Sequence, residues 1–122
     1  MSSTRAAAVA AILALGCSGP AGPDTLIGSC DARESTGAPG ECLEWTGEET
    51  GDFATLCTDT IGGTFARAEC PETPELIGTC FSDQLFGLYL TSYYYAPEHD
   101  LASAMADCET AGGGAGGAFE ER

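Results

Sequence analysis

A chain of 122 residues that sets 19 acidic side chains against four arginines and no lysine carries a net charge of −15 at neutral pH. Nucleic acids and anionic lipid surfaces are bound through Lys and Arg, so both are excluded as partners. Seven cysteines, none of them in a C-x-x-C pair, and a single histidine, His99, argue against a structural zinc site or a dithiol redox motif and in favour of disulfides. The carboxylates are spread along the chain and no D-x-[DN]-x-[DN]-G loop occurs, so they read as a solubilising surface. No metal and no cofactor is expected.

In chain order, the first element is an apolar run from Ala6 to Leu15 that follows Arg5 and ends in Ala14-Leu15-Gly16-Cys17-Ser18. This is the layout of a bacterial secretory signal with a small-residue cleavage site. It resembles the lipobox of bacterial lipoproteins, in which the signal is cut before a cysteine that receives a diacylglyceryl group and an acylated amino terminus. The resemblance implies a signal peptide over 1–16, lipidation at Cys17, a lipidated tether over 17–23 and contact with a membrane through the N-terminal lipid. Ser18, standing where enterobacterial sorting places Asp in inner-membrane lipoproteins, implies the outer membrane in preference to the inner. Ordinary cleavage after the Ala14/Gly16 pair is the alternative, and it would leave a secreted protein with a free thiol at Cys17. Cysteine arithmetic favours lipidation, because removing Cys17 leaves an even set. The run is also shorter than the ~20 apolar residues that span a bilayer.

Two stretches beyond the tether match. Leu26-Ile27-Gly28-Ser29-Cys30 returns as Leu76-Ile77-Gly78-Thr79-Cys80, and Cys57 followed by Gly62-Gly63-Thr64-Phe65 returns as Cys108 followed by Gly116-Gly117-Ala118-Phe119. The chain therefore reads as two copies of one unit, 24–71 and 74–122. Each copy is expected to run from a leading loop into a strand (Glu41 to Thr46; Leu88 to Tyr95), then a helix (Asp52 to Thr58; Pro97 to Cys108), a glycine turn and a short strand starting at Thr64-Phe65 or Ala118-Phe119. In the second helix Leu101, Ala104, Met105 and Cys108 fall on one face, with Pro97 at its first turn; in the first, Phe53, Leu56 and Cys57 point inward. The fold class is a small, disulfide-rich α+β domain made of two tandem strand-helix-strand units. The tract from Ala111 to Gly117 reads, by composition, as a flexible insertion expected between helix and strand.

The repeat also bears on the cysteines. Cys30 matches Cys80 and Cys57 matches Cys108, whereas Cys42 and Cys70 have no counterparts. A disulfide is lost cleanly only when both partners go together, so the expected pairs are Cys30–Cys57, Cys80–Cys108 and Cys42–Cys70, with Cys42–Cys57 as the chief competitor. Taken with the lipobox, this cysteine and glycine pattern resembles the small acidic cysteine-rich lipoproteins of myxobacteria and related Gram-negative bacteria. That resemblance implies an envelope location and carries no activity.

Two groups of side chains are candidates for a site. Trp45, Tyr89, Tyr93, Tyr94 and Tyr95 supply rigid area with polar tips, suited to an aromatic contact surface for an envelope or extracellular protein or a glycan. His99, in Glu98-His99-Asp100, is the one general base available to a small exported enzyme or enzyme inhibitor. No G-x-S-x-G, H-E-x-x-H or phosphate-binding loop accompanies it. The expectation is accordingly a non-enzymatic binding or structural module.

Overall fold

The computed structural model describes Gly22, residues 24–110 and residues 117–122; the signal segment, Cys17 with most of the tether, and residues 111–116 of the glycine tract lie outside the described residues. Six strands form one antiparallel sheet: β1 (Leu26–Asp31), β2 (Glu41–Gly47), β3 (Thr64–Ala66), β4 (Leu76–Leu85), β5 (Leu88–Tyr95) and β6 (Ala118–Glu121). Their spatial order is β3-β1-β2-β5-β4-β6. Between β2 and β3 a short helix, α1 (Phe53–Thr55), continues as a π-helical segment (Leu56–Ile61), and α2 (Leu101–Thr110) lies between β5 and β6. The result is a small α+β domain.

Register fixes which side chains share a face. Cys30 lies opposite Leu43, Leu43 opposite Ser92 and Ser92 opposite Cys80, so all four project to one side of the sheet. Cys30 is bonded to Cys57 in the π-helical segment and Cys80 to Cys108 in α2, which places both helical segments on that side. Cys42 and Tyr93 face the other way, where Cys42 is bonded to Cys70 in the connection from β3 to β4. One cluster packs Ile27, Trp45 and Phe53 around Cys30–Cys57, with the Trp45 and Phe53 rings 5.0 Å apart. A second packs Tyr94, Ala104 and Phe119 around Cys80–Cys108, and a third sets Leu76, Tyr93 and Tyr95 against Cys42–Cys70 on the opposite face. Buried cystine thus fills the centre of every cluster.

The segments expected to be leading loops are strands. β1 lies between β3 and β2, and β4 between β5 and β6. Gly28 and Gly78, within those segments, sit at bulges where Phe65 and Phe119 of the neighbouring strands lay their rings over the missing side chains. Each half of the described chain therefore runs strand, strand, helix, strand.

The second helix begins at Leu101, not at Pro97. Asp100 caps it: its carboxylate accepts from the Ser103 amide at 2.8 Å, and the Asp100 amide donates to Ser103 Oγ at 3.1 Å. Its buried stripe is narrower than expected, since Ala104 and Cys108 are enclosed while Leu101 and Met105 are 38% and 44% exposed. The disulfide explains this, because a helix drawn onto the sheet through Cys108 leaves room beneath it only for Ala104. Leu56 is likewise turned outward, and Phe53 and Cys57 carry the inward face of the first helical segment.

Candidate functional site

The aromatic residues expected to form a contact surface do not form one. Trp45, Tyr93, Tyr94 and Tyr95 are all buried, and Tyr89 is half-buried beside Phe81. The cause is that the sheet is covered on both sides of β5. Tyr94 points under α2, where its hydroxyl donates to Asp107 Oδ2 at 2.8 Å, whereas Tyr95 points to the far side and donates to the Pro71 carbonyl. Burial pushes the Tyr93 and Tyr94 phenols above their usual range and Tyr95 to about 12, so all three are neutral donors at physiological pH.

His99 lies in the bend between β5 and α2, where its amide donates to the Tyr95 carbonyl at 3.1 Å. Its ring packs edge-on to Tyr94, with centroids 5.0 Å apart. Nε2 is 3.4 Å from Glu41 Oε2 and Nδ1 is 3.3 Å from Ser103 Oγ, so a serine, an imidazole and a carboxylate stand in line. The serine is nevertheless committed elsewhere. Its hydroxyl contacts the carbonyl and amide of Asp100, and the Asp100 carboxylate takes the Ser103 amide that a developing oxyanion would need. The chemistry this arrangement supports is fastening: with its proton on Nε2 the ring donates to Glu41 and ties the start of α2 to the start of β2.

Glu41 is the perturbed group of the cluster. Burial raises its pKa, the Asp107 charge raises it further, and His99 opposes both. A carboxyl whose folded pKa is raised favours the folded state while protonated. Its contribution is therefore fully present below the ordinary value of 4.5 and is lost as pH rises through the raised value. Asp31, paired with Arg33, has its pKa lowered, so its contribution is present above its ordinary value and disappears as pH falls. Glu41→Gln is expected to unfold at higher temperature than wild type at neutral pH and at the same temperature well below pH 4.5. Melting curves across that range check this, and a Gln variant that is less stable at neutral pH would show that the charged Glu41–His99 contact outweighs the cost of burial.

Two concavities of about 200 and 280 Å³ share Arg33 and Glu34, and the larger reaches Glu98, next to His99 in the chain. Glu34, Glu75 and Glu98 line the larger. Arg33 spends its fork on Asp31, through contacts of 2.9 and 2.7 Å, and its guanidinium lies 5.0 Å from the Tyr95 ring centroid, so it is not poised to take an anionic ligand.

The six cysteines beyond Cys17 pair as Cys30–Cys57, Cys42–Cys70 and Cys80–Cys108, with Cα separations of 5.5, 5.9 and 5.6 Å. Such a set belongs to an oxidising, extracytoplasmic environment. Among the described residues no helix is long and apolar enough to cross a membrane, and no group of His, Cys, Asp and Glu is placed to hold a metal ion. No protein-family model, no curated protein and no solved structure matches the chain.

Proposed function

We propose that the protein is an exported envelope module anchored through a lipid on Cys17, without catalytic activity, that holds out a rigid, acidic domain for binding or for envelope structure. The observation that carries this reading is the distribution of the disulfides: all six sulfurs belong to buried residues, and between them they fix both helical segments and the β3–β4 connection to one sheet. A frame tied in this way suits presentation of a fixed surface more than a reaction that needs a mobile lid. The commitment of Ser103 to the α2 cap weighs in the same direction against an enzyme built on His99. The outer membrane, in preference to the inner, rests on Ser18, and the partner expected there is a protein or a glycan.

The same reading takes the two halves as copies of one unit. In support, Gly28 and Gly78 occupy like places beneath Phe65 and Phe119, Gly63 and Gly117 abut Cys30 and Cys80, and the strand order mirrors about the β2–β5 pair. The intact mass of protein taken from membranes, with and without reduction and alkylation, tests the proposal. Acyl groups on Cys17 and three cystines that open only on reduction are expected; an unacylated mass would leave a secreted protein, and free thiols would remove the frame.

A further inference from the structure

The β4–β5 hairpin carries a residue that its own backbone disfavours. Leu85 pairs with Leu88 across a two-residue connection, Phe86-Gly87, and both central residues have positive φ, 55° and 76°. This is the pattern of a type I′ turn, whose first position suits Asn, Asp or Gly. A bulky aromatic residue at positive φ is an outlier, and Phe86 is the one described non-glycine residue in that state. Among the described residues it is also the most exposed large hydrophobic side chain, at 89%. The tip is held in place, since the Glu48 amide donates to the Gly87 carbonyl at 2.9 Å and Glu48 packs beneath Gly87. Below it, on the face away from the helices, Phe81 stacks on Tyr89 with centroids 5.6 Å apart, and Phe81 is 39% exposed. A side chain this exposed buries little apolar area to offset the strain of its backbone, and strain retained at an exposed tip points to use.

We infer that Phe86 is a docking knob that inserts into an apolar pocket on a partner protein whose rim carries Lys or Arg. The choice of a protein follows from charge: a chain of net charge −15 repels anionic lipid and complements a basic rim. A single aromatic anchor in a pocket, ringed by weaker contacts, is the usual form of an interface centre. The inference deepens the binding-module reading by naming its contact, and it does not depend on the lipid, so an unacylated mass would remove the anchor and leave the knob standing.

The test uses the full chain expressed in its own host with p-benzoylphenylalanine at position 86 or, as a control, at exposed position 58. The expected result is one discrete protein adduct at 86 and none at 58. The adduct partner, identified and purified, should then bind wild type at least ~30-fold more tightly than Phe86→Asn, and Phe86→Asn should melt about 4 °C above wild type because the strain is gone. Five outcomes would each overturn the inference: no adduct; the same adduct at both positions; crosslinks to lipid alone; equal binding by wild type and Phe86→Asn; or a lower melting temperature for the variant, which would make Phe86 a structural residue.

Discussion

Replacing Cys30 and Cys57 together by alanine is expected to lower the unfolding free energy by about 3.5 kcal/mol. In the chain-entropy account the loss depends on the length of the closed loop, and the sequence separations of the three disulfides are 27, 28 and 28 residues. Loop closure alone therefore predicts the same loss for every pair, and any difference among the three double variants measures packing. Cys30–Cys57 and Cys80–Cys108 lie within sheet-to-helix clusters beside Trp45 and Phe53 or beside Tyr94 and Ala104, where alanine leaves a void. Cys42–Cys70 secures an irregular connection that can settle after the bond is gone. The order of loss should accordingly place Cys42–Cys70 last. A domain of this size has about 5–15 kcal/mol in total, so one missing disulfide should leave it folded and two should bring it close to unfolding. Guanidinium titrations of the three variants decide the matter; equal losses would mean that the cystines act only on the unfolded chain, and a loss under about 1 kcal/mol would count against the entropy account itself.

What the sequence disclosed and what it concealed have separate physical causes. The repeat ties Cys30 to Cys57 and Cys80 to Cys108 because a shared spacing carries connectivity, which neither composition nor periodicity does. The strands Glu41–Gly47 and Leu88–Tyr95 were legible from their Trp, Tyr, Thr and Leu content. β1 and β4 were not, because the glycine within Leu-Ile-Gly-Ser/Thr-Cys weakens the strand pattern until the Phe ring that covers it is known. The tyrosines misled because strand alternation predicts one buried face, and here the helices cover one side of β5 while the Cys42–Cys70 connection covers the other. Leu101 and Met105 misled because periodicity assigns a stripe its direction without its width, which the disulfide to α2 sets. Phe86 gave no signal as a lone residue. Its place before Gly87 reads as a two-residue turn with left-handed backbone only once the run before it, β4, is known to be a strand.

Gly28→Ala and Gly78→Ala should each destabilise the protein by about 2 kcal/mol, although neither glycine has positive φ and one methyl group is all that is added. The reason is space. A Cβ on Gly28 would stand 2.6 Å from Phe65 Cζ and 2.8 Å from the Ala66 carbonyl oxygen; one on Gly78 would stand 2.5 Å from Phe119 Cζ and 2.8 Å from the Glu120 carbonyl oxygen. A ring alone could swing clear, but in both places the second obstacle is main chain of the paired edge strand, so the strand itself must move. β3 and β6 are short edge strands of three and four residues, and each is held in the sheet by one neighbour. Displacing them exposes the adjacent cystine, since Phe65 packs against the Cys30–Cys57 cluster and Phe119 against the Cys80–Cys108 cluster. The expected signature is a loss of stability together with faster reduction of the nearby disulfide by dithiothreitol, Cys30–Cys57 in Gly28→Ala and Cys80–Cys108 in Gly78→Ala, while Cys42–Cys70 keeps its wild-type rate. If the halves are copies of one unit, the two substitutions should match within the scatter of such measurements, about 0.5 kcal/mol. A tolerated alanine at either glycine would show that the aromatic ring over it is incidental, and a large disparity between them would show that the two halves have come to bear different loads.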